Sequence, residues 1–141
     1  MANVIPFAFR GELFTGTHNF ASGGDSFKLA LYTSNPYNTS STVYVVTNEV
    51  SSSGTNYTAA GHALTGNAVV AATAVASCDF ADTTWTSATI TATHAALYNE
   101  DQSDKLCVVL DFGGSFTCTN GTFKVSFPSP STAADAIISM A

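Results

Sequence analysis

The sequence is poor in charge. Only four basic and ten acidic residues occur among 141, for a net charge of −6. The basic residues, Arg10, Lys28, Lys105 and Lys124, are scattered and form no run. Binding to nucleic acid by counterion release needs several cations on one surface, so nucleic acid is not an expected partner. Long apolar runs are missing as well. None approaches the ~20 residues of a membrane-spanning helix, and no membrane association is expected. Cysteine is scarce: Cys78, Cys107 and Cys118 are odd in number and lack the paired spacing of a zinc site. Residues 1–9 offer neither a basic n-region nor an apolar h-region. The reading is therefore a chain made in the cytoplasm with free thiols. A Cys107–Cys118 bridge across a hairpin is the alternative.

Catalytic signatures are absent too. No Gly-x-Ser-x-Gly elbow, phosphate-binding glycine loop or His-Glu-x-x-His pair occurs. His18, His62 and His94 are far apart in sequence, and His94, among alanines and threonines, reads as a hydrogen-bonded structural histidine. Asp79 and Asp82 flank a bend, where carboxylates cap turns. Glu100, Asp101 and Asp104 form a solvated acidic tip without the ligand spacing of an EF-hand. The expectation is no catalytic residue, no metal site and no cofactor: a protein that is not an enzyme. The three Asn-x-Ser/Thr sequons, at Asn38, Asn56 and Asn120, follow from composition.

What the sequence has in abundance is hydroxyl. Serine and threonine make up about a quarter of the chain. Threonine is β-branched and suits a pleated, half-exposed face. A weakly charged β surface favours edge-to-edge association. The length fits one domain, which buries roughly 68–70% of the surface exposed when unfolded. We expect a single all-β domain over 1–141, with an N-terminal arm or short helix at 1–20 and a β-sandwich over 26–141.

The pass along the chain gives the elements. Phe9, Leu13 and Phe14 fall on one helical face by their i, i+4 spacing. Residues 26–33 alternate, with Phe27, Leu29 and Leu31 inward. A loop over 34–42 precedes a short strand at 43–46, and a long polar segment follows over 47–61. Residues 63–76 read as one strand and 78–82 as a bend. The centre of the chain is 88–127, read as a three-strand meander: 88–98, an acidic turn, 105–112 stopped by Gly113-Gly114, and 122–127 stopped by Pro128. A rigid loop at 129–132 and a closing strand at 136–140 complete an antiparallel β-sandwich or jelly-roll-like barrel. Aromatics dominate protein contacts. Phe7, Phe9 and Phe14 in the arm, with Tyr37 and Tyr57 in the loops, are therefore the candidate partner-binding residues. Tyr32, Tyr44 and Trp85 could join Tyr37 and Tyr57 in a sugar-binding face.

The order of the motifs adds a resemblance. FKLALYTS at 27–34 is followed by Asn48-Glu49-Val50, GTNYTAAG at 54–61, and DFAD at 79–82 with Trp85. AALYN at 95–99, VLDFGG at 109–114 and GTFKVSFP at 121–128 continue the series. This succession resembles a family of small virion structural proteins of tailed bacteriophages and prophages, over nearly the whole chain. The resemblance implies a non-enzymatic particle component assembled in the host bacterial cytoplasm. It points first to a decoration, or cement, protein on the capsid surface. Its partners would be the major capsid protein and copies of itself, a trimer being the expected oligomer. A tail, adaptor or head-fibre component is the neighbouring alternative, and a carbohydrate- or receptor-binding β-sandwich module is another.

Overall fold

A computed structural model describes residues 3–72, 75–128 and 136–140. The elements in chain order are a helix α1 (Phe7–Phe14), strands β1 (Phe27–Tyr32), β2 (His62–Ala63), β3 (Ala68–Ala72), β4 (Val75–Asp79) and β5 (Thr83–Asn99), a 3₁₀ turn (Glu100–Gln102), β6 (Lys105–Val125) and β7 (Ile138–Met140). A four-stranded antiparallel sheet has the order β2-β1-β5-β6, and a three-stranded antiparallel sheet has the order β3-β4-β7. The two sheets pack together with the short helix. The expected all-β sandwich is therefore present, and the sheets do not close into a barrel.

The central meander is two strands rather than three. β5 starts at Thr83, so it takes in Trp85, and it pairs with β6 from Thr83↔Val125 to Asn99↔Lys105. Gly113-Gly114 was expected to stop a strand. Instead β6 carries surplus residues between the pairs Ala92↔Phe116 and His94↔Asp111, and the ladder resumes beyond them. A bulge of this kind absorbs extra length and bends the strand without ending it. Gly113 takes φ +75° there, a conformation that suits glycine.

Two other segments differ from expectation. Residues 63–76 do not form one strand: β3 turns back on β4, with Ala68 opposite Asp79 and Ala72 opposite Val75. Residues 78 and 79 accordingly finish β4 and are not part of a bend. Residues 43–46 contribute only an isolated bridge, Val43 to Lys105. The closing strand is present at Ile138–Met140, and the loop expected at 129–132 lies outside the described residues.

The core has two compartments on opposite faces of the larger sheet. The first lies between the sheets. Phe27, Leu29, Leu31, Trp85, Ile90, Leu97, Cys107 and Val108 meet Cys78 and Ile138 there, with Phe9 of the helix inserted. The second lies on the other face, where Ala30, Tyr32, Ala96, Tyr98, Leu106 and Val109 are covered by the 34–50 segment through Tyr37, Tyr44 and Val45. That second cover explains why β1 and the end of β5 are buried on both faces and lose the alternation of a half-exposed strand. The outer half of β5 keeps it, with Thr84, Thr86, Thr89 and Thr91 outward and Trp85, Ala88, Ile90 and Ala92 inward.

Gly61 shows how tightly the long loop is held to this sheet. It has φ +81°, and a methyl group there would stand 2.0 Å from the Leu29 carbonyl oxygen. Gly54, at φ +71°, has open space around it. Gly61→Ala is expected to lower unfolding free energy by more than about 3 kcal/mol, and Gly54→Ala by about 1 kcal/mol. Urea titration of both variants measures the contrast, and equal losses would refute the close packing at Gly61.

Candidate binding surfaces

The residues expected to touch a partner divide into two groups. Phe9 is fully buried in the main core, and Tyr37 and Tyr57 are buried as well. Their side chains are spent on internal contacts, so they offer no outward face. Phe7 is 59% exposed and Phe14 94% exposed. Phe14 was expected beside Phe9 and Leu13. Eight residues of helix carry apolar side chains on both sides, and only Phe9 and Leu13 face the core.

The tyrosines have a common destination. All five in the sequence take part in one assembly around the 34–61 segment. Glu49 is its hub: Oε2 accepts from the Tyr44 hydroxyl at 2.5 Å, and Oε1 accepts from the Tyr57 hydroxyl at 2.7 Å and the Ala60 amide at 2.8 Å. The Tyr57 oxygen in turn accepts the Leu31 amide at 3.0 Å. The Tyr32 and Tyr37 hydroxyls meet at 2.6 Å beside the Val45 carbonyl and amide. Tyr98 donates to the Ala60 carbonyl at 2.6 Å and stacks on Tyr44 with centroids 4.7 Å apart. Trp85 is sandwiched in the core between His62 and Tyr57. These aromatics anchor a loop, and a sugar-binding face built on them has no exposed ring to offer beyond half-buried Tyr44. Sequence reasoning missed Glu49. The available signal was that it is the only acidic residue between Asp25 and Asp79.

A second buried network contains the residue types of a thiol enzyme. His18, Asn99 and Cys107 come together beneath α1. His18 Nε2 lies 2.8 Å from Glu12 Oε2, and that carboxylate also takes Lys105 Nζ at 2.6 Å on its other oxygen. Asn99 Oδ1 accepts the Asp101 amide, so its NH₂ faces His18 Nδ1 at 2.9 Å and Asp25 Oδ2 at 2.8 Å. Partners on both sides fix the neutral Nε2–H tautomer. A catalytic pair needs the opposite arrangement, with one ring nitrogen facing the thiol and the other donating to the amide oxygen. Here the same Nδ1 faces both, and Cys107 Sγ is 4.0 Å away. Burial raises the Cys107 thiol well above its ordinary pKa. Burial also works to raise Glu12, but the hydrogen bonds from Lys105 and His18 outweigh it and hold that carboxyl low. The arrangement locks the helix and the 15–26 segment onto the end of the sheet.

The remaining sequence candidates have local partners. His94 is buried, with Nδ1 2.7 Å from Thr93 Oγ1 and Nε2 3.7 Å from Asp111 Oδ1. Glu100 pairs with Lys28, Asp101 accepts the Ser26 amide, and Asp82 accepts the Phe127 amide while pairing with Lys124. The three cysteines are free. Among the described residues no group of three His, Cys, Asp or Glu side chains is placed to hold a metal ion.

What stands open is a groove on the bulged half of β6. It has a volume of about 600 Å³ and an aromatic wall of Phe112, Phe116 and Phe123, with Leu110, Lys124 and Pro128 around it. Phe112 meets both other rings at 6.3 Å, and Phe116 is 54% exposed. The edge of β6 beside it changes character along its length. From Lys105 to Asp111 the chain covers its own edge: Leu106 donates to Thr42, Val109 exchanges two hydrogen bonds with Val4, and the Asp111 amide donates to Asn3. From 112 to 125 no other described strand pairs with that edge. Phe112 and Phe116 escaped sequence reasoning because Gly113-Gly114 was taken as a terminator. Comparison of the chain with protein-family models, curated proteins and solved structures found no match.

Two outcomes follow. Burial raises Tyr32, Tyr37, Tyr57 and Tyr98, and for Tyr57 a hydrogen bond to Glu49 adds to it. An unfolded tyrosine ionises near 10, so above that pH the unfolded state loses protons that the folded state keeps, and stability falls as pH rises. In a spectrophotometric titration these four phenols should ionise together with the loss of folded structure. Ionisation near pH 10 in a folded chain would refute the tyrosine assembly. In native protein, half-buried Cys118 should alkylate first. Cys78, whose thiol burial pushes up to about 12, and Cys107 should label only on unfolding.

Proposed function

We propose that this protein is a non-enzymatic structural component of a tailed-phage virion, a decoration protein that sits on the major capsid shell together with other copies of itself. The single structural observation that supports this reading is the division of labour among the apolar groups. The histidines, tyrosines and tryptophan are consumed by internal packing, while phenylalanines are left uncovered on the helix and along the groove. Such a molecule acts by contact. The colinear motif series from residue 27 to residue 128 supplies the class of particle.

The physical task suits the surface. A decoration protein buries apolar area across capsomer seams, and many weak copies together resist internal pressure through avidity. The low-charge, threonine-rich face of β5 has little charge to desolvate on lateral packing. Burial of Tyr37, Tyr57 and Trp85 counts against glycan binding by those residues.

The test is addition of purified protein to capsids lacking it. The expected result is saturable uptake at a fixed ratio to the major capsid protein, with a higher temperature of genome release. Uptake of a few copies at one vertex would move the protein to the tail or adaptor class, and no uptake by shells or tails would overturn the reading.

A further inference from the structure

Two uncovered surfaces lie far apart on the chain. On α1, residues Phe7, Arg10 and Phe14 are spaced i, i+3 and i+7, which puts them on one side of the helix, away from Phe9 and Leu13. The Arg10 guanidinium lies 4.6 Å over the Phe7 ring. Lys28, Lys105 and Lys124 pair with Glu100, Glu12 and Asp82, whereas Arg10 has no carboxylate partner among the described residues. The second surface is the groove walled by Phe112, Phe116 and Phe123. The helix is tied to the Lys105 end of β6 through Glu12, and the groove follows the other half of the strand.

We propose that these surfaces bind each other between copies of this chain: the outer face of α1 of one copy seats in the β6 groove of the next, head to tail. Three properties of the molecule select a second copy as the occupant. The groove, at about 600 Å³, is roomy enough for more than one aromatic side chain, and phenyl rings entering it can meet its wall edge to face. Charge agrees, because an exposed cation flanked by two phenylalanines favours an acidic partner, and another copy carries −6. Area agrees as well. Two phenylalanines and an arginine stem against three phenylalanines bury on the order of 1,000 Å² in total, the low end of specific interfaces. Association is therefore weak. The two surfaces differ, so the contact is heterologous and either closes into a ring or extends as a chain. The inference rests on these surfaces and not on the virion reading; uptake by capsids is a separate measurement.

Sedimentation velocity of the purified chain over a concentration series tests it. Wild type is expected to associate as concentration rises. Phe14→Ser and Phe116→Ser change exposed side chains, so each should keep its unfolding midpoint while remaining monomeric. Mixed in equal amounts, they should form a dimer that grows no further, because Phe14→Ser keeps an intact groove and Phe116→Ser an intact helix face. Arg10→Glu, which touches no core residue, should weaken wild-type association roughly tenfold through like-charge contact. Wild type that stays monomeric at every concentration would overturn the proposal. So would association that survives either serine substitution, or variants that remain apart on mixing.

Discussion

The antiparallel ladder between β5 and β6 carries the rest of the structure, because every other element finds its place against one of its two halves. Near the turn, from His94 to Lys105, the paired strands accept β1 on one side, the 34–50 segment on one face, and the helix with the smaller sheet on the other. That half is closed on all sides, and its alternation disappears into uniform burial. Beyond the bulge at 112–115 the same two strands continue without β1, since β1 is only six residues long. There the inner face keeps Trp85, Ile90 and Phe123, and the outer face returns to threonine. One hairpin therefore serves as both core and exposed arm.

Polar groups hold the irregular parts to this ladder. The loop over 34–61 has almost no regular structure, yet Glu49 and the tyrosine hydroxyls satisfy its buried donors and acceptors one by one. A buried loop without such partners would leave backbone groups unpaired at a cost of roughly 1–3 kcal/mol each. The N-terminal segment is held in a similar way through Glu12, His18 and Asn99. In both places an acidic residue collects donors from elements distant in sequence. The consequence for function is negative selection among residues: histidine, cysteine and tyrosine, the usual chemical candidates, are committed to architecture.

Legibility in the sequence followed the physics of each signal. β1 was readable because Phe27, Leu29 and Leu31 alternate with a two-residue period, and α1 because Phe9 and Leu13 repeat at four. The single strand expected over 63–76 was wrong because alanine and valine are compatible with a turn between two short strands as well as with one long strand. Gly113-Gly114 misled for a related reason: glycine permits both a strand end and a bulge, and only the partner strand decides between them. Tyr37 and Tyr57 were misread because a loop position suggests exposure, whereas burial depends on what lies beneath the loop.

Composition and periodicity by themselves determined a single β-rich domain with a short N-terminal helix, a low-charge surface and no recognisable catalytic motif. These are properties of local pattern, since propensity and side-chain period act over a few residues. Tertiary structure alone decided which aromatics are spent and which remain. Phe9 and Phe14 sit five residues apart in one helix, and one is sealed while the other is bare. The register of β5 against β6 likewise placed the surplus residues at 112–115 and opened the groove beside Phe116. Burial and register arise from contacts between distant segments, and no local pattern encodes the partner that a side chain will meet.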